Sequence, residues 1–159
     1  MDHSVLRKSA LTKGLDEHQV ERLESLGVRR QIVAGARLFS IGGEAVEMLL
    51  VLSGRVELSF PLQILGAEKL VVLETSTQGD VIAWSAAVPP HRLRLTGICA
   101  ESGEVLVFRR EDLQGLFDRE PVTGRWVMSN LAEVAGRRLF QVEQAWTRWI
   151  QRSIQEKYR

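Results

Sequence analysis

Met48-Leu49-Leu50-Val51-Leu52-Ser53-Gly54-Arg55-Val56-Glu57-Leu58-Ser59-Phe60 is the stretch on which the fold turns. Its second arm alternates strictly, with Val56, Leu58 and Phe60 to one side and Arg55, Glu57 and Ser59 to the other. That is the period of a strand with one buried face. The first arm is an unbroken apolar run, and Gly54 between them can take the positive φ of a tight turn. The pair therefore reads as a β-hairpin.

Outward from this segment the same punctuation continues. Gly35, Gly42-Gly43, Gly66, Gly79, Gly97 and Gly103 cut residues 28–108 into short apolar runs. A second hairpin is expected around Gly66-Ala67, with Leu70-Val71-Val72-Leu73 returning, and a third around Ser102-Gly103. Many short strands with frequent turns predict a sandwich or barrel. Before it, residues 1–27 read as one or two short helices: Asp16 precedes Val20, Leu23 and Leu26 at helical spacing, and Gly27 stops the run. After it, residues 109–119 form a short helix carrying Leu113, Leu116 and Phe117. Pro121 then opens a long helix over 120–156. The expected layout is one domain, residues 1–159: helices, barrel, short helix, long helix.

Composition limits the functions. The chain has 159 residues, 21 Lys and Arg against 20 Asp and Glu, and so a net charge of +1. No global field draws it to DNA or to an anionic membrane. No run nears the roughly 18 apolar residues that span a bilayer. The first residues lack the basic and apolar regions of a secretion signal, so the expected address is the cytoplasm. Cys99 is the single cysteine and cannot form an intrachain disulfide or a multi-cysteine zinc site. His3, His18 and His91 are too scattered for a metal-bearing barrel enzyme, and neither Ser85 nor Cys99 has the partners of a nucleophile. No enzyme and no cofactor are expected.

Residues 79–90, Gly79-Asp80-Val81-Ile82-Ala83-Trp84-Ser85-Ala86-Ala87-Val88-Pro89-Pro90, break the strand pattern. They read as a strand end, a tight turn, one helical turn and a Pro-Pro break. Such a turn can offer free backbone N–H groups to an anion.

In this order the elements resemble the cyclic nucleotide-binding domain family, found in catabolite-activator-type bacterial regulators and in cAMP-dependent kinase regulatory subunits. The resemblance rests on Gly35-Ala36-Arg37-Leu38-Phe39-Ser40-Ile41-Gly42, on Leu50-Val51-Leu52-Ser53-Gly54-Arg55-Val56 and on Gly79-Asp80. Glu104-Val105-Leu106-Val107-Phe108 with Glu111-Asp112-Leu113 completes it. It covers residues 10–155 and implies a mainly β fold, an antiparallel jelly roll with flanking helices and a long C-terminal helix. It also implies a phosphate-binding cassette at Gly79, Asp80, Ala83, Trp84, Ser85 and Ala86, closed by an arginine on the next strand.

The family's ligand residues are only partly matched. Trp84 stands where the family has the Glu that accepts from the ribose 2′-OH, and an indole N–H only donates. Losing that bond forfeits about 1.5–3 kcal/mol, one to two decades in affinity. Ala83 replaces the preceding Gly. Arg94 falls at the phosphate arginine, with Thr96 and Ile98 expected on its face, although Arg92 is two residues away. Val142 and Glu143 take the places of the base-binding hydroxyls on the long helix. These matches predict a regulatory module that does not hold cAMP or cGMP tightly, with Arg94 available to a small anionic ligand. An interaction scaffold with a closed pocket is the alternative; a DNA-binding regulator, of which this would be the sensor half, is expected only if the chain is cut from a longer product, since no helix-turn-helix unit can be fitted after the long helix.

The long helix carries Leu131, Ala135, Arg138, Val142, Trp146, Trp149 and Ser153 at alternating steps of four and three, with Leu139 and Ile150 beside them. With about 30 residues or more, it runs for at least roughly 45 Å at 1.5 Å per residue and outlasts a small barrel. A two-fold homodimer through residues 131–154 is expected, with neither DNA nor membrane as partner.

Overall fold

The computed structural model describes residues 4–158; His3 lies outside them. The elements are α1 (Ser4–Lys8), a 3-10 turn (Ala10–Thr12), α2 (Glu17–Leu26), β1 (Val28–Ile32), β2 (Arg37–Phe39), β3 (Glu47–Ile64) and β4 (Ala67–Ser76). Then come β5 (Val81–Ile82), a 3-10 turn (Trp84–Ala86), β6 (Thr96–Arg109), α3 (Arg110–Arg119) and α4 (Pro121–Lys157). Asp16 caps α2 as its sequence suggests: its Oδ1 accepts from the Gln19 N–H at 2.8 Å, and Gln19 Oε1 accepts from the Asp16 N–H at 2.9 Å.

The sheet is a folded ribbon. β3 and β6 pair antiparallel from Glu47↔Arg109 to Ser59↔Thr96. β1 and β5 flank one end of this ribbon, β2 and β4 the other. The two halves are thus β1-β6-β3-β5 and β2-β6-β3-β4, which fold over each other as an antiparallel jelly roll.

The fold line corrects two expectations. Neither Ser53-Gly54 nor Ser102-Gly103 is a hairpin; each is a corner within a continuous strand. The pairing slips register between Val51 and Val56, where the two strands bend together. Gly54 has φ 82°, and a Cβ there would lie 2.5 Å from the Glu101 carbonyl oxygen. A Cβ on Gly103 would strike the Ser53 carbonyl. Two backbones that touch at a corner leave no room for side chains. The hairpin near Gly66 does form: Leu65 and Gly66, φ 52° and 79°, link the Ile64↔Ala67 pair.

The apolar run of β3 is explained by burial on both faces. Leu49 and Val51 point inward with Ile32, Ile82, Val105 and Val107, against Val56, Leu58 and Cys99 of the opposite half. Met48, Leu50 and Leu52 point outward with Leu106 and Phe108, under Leu6, Leu23, Leu113, Val127 and Leu131 from the helices. Asn130 fastens α4 there by donating to the carbonyls of Leu11 and Lys13, both at 2.9 Å. Leu131 is therefore inside the domain core, not on a free stripe. From Leu139 onward α4 leaves the domain and is almost wholly exposed. Among the described residues no helix is long and apolar enough to cross a membrane.

Candidate ligand-sensing site

Gly79 and Asp80 fasten the cassette to the sheet. The Gly79 N–H donates to the Val51 carbonyl at 2.9 Å, and the Val51 N–H to the Asp80 carbonyl at 3.0 Å. Asp80 Oδ2 accepts from the Thr77 N–H at 2.8 Å. Ala83 then adopts the left-handed conformation (φ 51°, ψ 31°) that reverses the chain into the Trp84–Ala86 turn. A non-glycine residue there costs about 1–2 kcal/mol. Ala86 donates back to Ala83 at 3.1 Å. Ser85 is buried, and its carbonyl accepts from His91 Nδ1–H at 3.0 Å. The Trp84 indole is half-buried and packs on the helix-side core.

The returning segment runs beside the loop after β2. The Gly42 N–H donates to the Leu93 carbonyl at 2.8 Å, and the Leu93 N–H to the Gly43 carbonyl at 2.9 Å. Thr96 is buried, its Oγ1 accepting from the Ile41 N–H at 3.1 Å. This pairing turns Leu93 inward and leaves Arg92 and Arg94 exposed. Arg92 Nη1 donates to the Gly42 carbonyl at 3.2 Å; Arg94 has no hydrogen bond or ion pair among the described residues.

A cavity of ≈ 310 Å³ opens at this mouth of the roll. Ile32, Leu38, Phe39, Leu49, Leu93 and Val105 make its apolar wall, and Ala83 is the cassette's contribution. Gly79, Asp80, Trp84, Ser85, Ala86, Arg94, Thr96 and Val142 do not line it. Val142 is exposed on the projecting part of α4. Arg30 and Glu47 stand among the lining residues, joined by two hydrogen bonds of 2.8 and 2.9 Å. The Arg30 guanidinium holds the Glu47 carboxyl below the usual glutamate range, chiefly through those bonds, and Glu47 raises Arg30 in return. Glu44, also in the lining, is held low by Arg110, whose Nη2 is 2.6 Å away. Charges at the mouth are therefore already matched within the chain. The sequence reading missed Leu93, Phe39 and this ion pair. The signal for Leu93 was the alternation Arg92-Leu93-Arg94, which sets the leucine opposite both arginines. Among the described residues no group of three or more His, Cys, Asp or Glu could hold a metal ion.

A jelly roll whose β5–β6 connection lines a cavity, with a long helix leaving beside it, has the concave, largely apolar site that a small ligand needs. The cyclic nucleotide-binding domain model matches residues 29–120, and the chain belongs to that family. A cyclic nucleotide-binding domain of Methylobacillus flagellatus superposes with TM-score 0.74 at 16% identity, over 91% of this chain and 80% of that one. The catabolite activator protein of Thermus thermophilus gives 0.72 at 27%, over 87% of this chain and 62% of its own length. The N-terminal domain of a Streptomyces coelicolor transcriptional regulator gives 0.67 at 22%, over 89% and 96%. Among curated proteins no sequence matches.

Proposed function

We propose that this chain is a non-enzymatic regulatory module in which the state of the cavity is transmitted to α4, and that cAMP and cGMP are not its tight ligands. The observation that carries the reading is the inward Leu93 beside Ala83, with Arg92 and Arg94 exposed. A cyclic phosphate placed at this mouth meets methyl groups where it needs cationic donors, and desolvating an unpaired phosphate is costly. The one guanidinium in the wall, Arg30, is engaged by Glu47. The cavity suits a small ligand with an apolar body. A small anion remains compatible with the fold only if Arg30 exchanges its partner.

The module acts as a homodimer through α4. Val142, Trp146 and Trp149 are 57%, 63% and 63% exposed, on one helical stripe. Leu131 and Arg138, expected in that stripe, are engaged by their own domain, so the pairing seam starts at Leu139.

Isothermal titration calorimetry with cAMP and with cGMP tests the ligand reading. No saturable heat is expected at micromolar nucleotide. A dissociation constant of about 1 μM or tighter, roughly −8 kcal/mol, refutes it.

A further inference from the structure

The inner face of the roll changes character at its open end. On β1 Ile32 and Arg30 share that face, and on β3 Leu49 and Glu47 do, two residues apart in each strand. Ile32, Leu49 and Val105 are buried, whereas the Arg30 and Glu47 side chains are 52% and 31% exposed. The ≈ 310 Å³ cavity is therefore apolar in its depth and carries an ion pair at its mouth. At about 30 Å³ per water it has room for about ten waters, or for a molecule of about ten non-hydrogen atoms.

The two members of the pair are not equally committed. Glu47 stands directly opposite Arg109 on β6, close enough for side chains to meet across the ladder, and the Arg109 charge already acts on it. Arg109 is otherwise paired with Glu111, at 3.5 Å. Glu47 thus has a second guanidinium to turn to. Arg30 has no second carboxylate: among the described residues its ion pair is with Glu47, and Glu44, the other acid of the mouth, is held by Arg110 at 2.6 Å.

An incoming charge is therefore sorted by its sign. A carboxylate that takes Arg30 sends Glu47 to Arg109, and every charge keeps a partner. An ammonium that takes Glu47 leaves Arg30 to water, and a neutral head displaces neither. The surroundings favour the anion as well, since Arg92 acts on Glu44 beside Arg110. Four guanidiniums at this mouth, those of Arg30, Arg92, Arg109 and Arg110, face three carboxylates among the described residues. Deeper in, Leu38, Phe39, Leu49 and Leu93 offer no side-chain donor, so a second ionised group would be desolvated without a partner.

We propose that the cavity takes a monocarboxylate with a compact apolar body, its carboxylate on Arg30 and its body between Leu49 and Leu93, and that Glu47 is the gate it displaces. That ligand class rests on the reading of the cavity as a small-ligand site and adds the charge it selects. Ala83 in the wall lies two residues from Val81, whose carbonyl accepts from Arg138 of α4 at 3.4 Å, so the ligand touches the segment that α4 holds.

Equilibrium dialysis of the full-length chain against radiolabelled octanoate, and separately against radiolabelled octan-1-ol, tests it. The two probes share a carbon chain length and differ in the charge of the head. One octanoate per chain is expected, bound at least about tenfold more weakly by R30Q, which loses a charge-assisted hydrogen bond. E47Q is expected to bind octanoate several-fold more tightly, because Arg30 then has no competitor; damage to the fold does not tighten binding. Octan-1-ol is expected to bind more weakly and alike in all three chains. L93W, which fills the cavity, abolishes both. Equal binding of the two probes, indifferent to R30Q, overturns the carboxylate and leaves an apolar-ligand cavity standing. Octanoate binding weakened by R30Q but unchanged in E47Q overturns the gate. Binding that survives in a folded L93W chain lies elsewhere and overturns the site. If neither probe binds at millimolar concentration, the proposal and the small-ligand reading beneath it both fall.

Discussion

Arg138 reaches back from α4 to Glu74 at 2.7 Å, and its Nη2 also lies 3.4 Å from the carbonyl oxygen of Val81. One guanidinium thus touches β4, the strand leading into the cassette, and the helix that leaves the domain. Beyond it, among the described residues, no ion pair joins α4 to the roll.

This contact is expected to act as a tether more than as a source of stability. The pair is partly exposed, 19% and 30%, so R138A should lower global stability by no more than about 1 kcal/mol. Amide exchange should nevertheless quicken over residues 132–145, since local opening no longer breaks the bond. Unchanged protection there would remove Arg138 from any route between cavity and helix.

The ribbon corner gives a sharper stability test. At Gly54 a methyl group meets the Glu101 carbonyl at 2.5 Å and the backbone is left-handed, φ 82°. Overpacking and strain together predict a loss of about 2–5 kcal/mol for G54A. Gly66 has φ 79° but open space around it, so G66A should cost only about 1–2 kcal/mol. Urea denaturation of both variants measures the difference. Equal losses would mean that the corner relaxes.

That corner also marks how far the sequence could be read. The alternation over Arg55-Val56-Glu57-Leu58 shows a strand with one buried face, and the structure has it that far. The bulge between Leu58 and Ser59 then shifts the pattern, burying Ser59 and leaving Phe60, expected inside, exposed. But a glycine of positive φ reads alike in a hairpin turn and in a bend of a continuing strand. Only β6, some forty residues further along the chain, decides which one Gly54 is. The site shows the same divide. Period-two alternation opposes Leu93 to Arg92 and Arg94, yet which side faces the cavity depends on the hydrogen bonds of Leu93 with Gly42 and Gly43. Trp84 was legible as a departure from the family pattern, while its packing on the helix-side core came from the left-handed turn at Ala83.

Acid should act through Glu47. Its carboxyl titrates below the usual range because Arg30 hydrogen-bonds the charged form, outweighing desolvation. The folded value is lower than the unfolded one, so the stabilisation is complete above the unfolded value of about 4.3 and is lost as pH falls through the folded one. E47Q should flatten the acid limb of a stability–pH curve by about 1 kcal/mol or less, the pair being partly solvated. Glu44 and Glu133 are lowered by Arg110 and Arg137 and keep their own share of that limb. An unaltered acid limb in E47Q would show the ion pair to be idle in solution.

Cys99 is 1% exposed, facing the inner core, and burial pushes its thiol up. A protonated, enclosed sulfur reacts slowly, because the thiolate is the nucleophile. Ellman's reagent should therefore label the native chain far more slowly than the chain in denaturant. Rapid labelling of the native protein would mean that the roll opens between its two halves on the timescale of the reaction.

The dimer seam yields to a paired truncation. Trp146 and Trp149 stand on one stripe of α4, each 63% exposed, eight or more residues beyond Arg138. Covering a large apolar side chain is worth roughly 1.5–3 kcal/mol, and a two-fold seam counts each residue twice. W146A/W149A should then weaken self-association by several decades while leaving the jelly roll intact, because neither indole touches the domain core. Sedimentation velocity across a concentration series reads the first effect, and a thermal melt of the barrel the second. A wild-type chain that is monomeric at tens of micromolar refutes the seam, and the tryptophan stripe then belongs to a different protein.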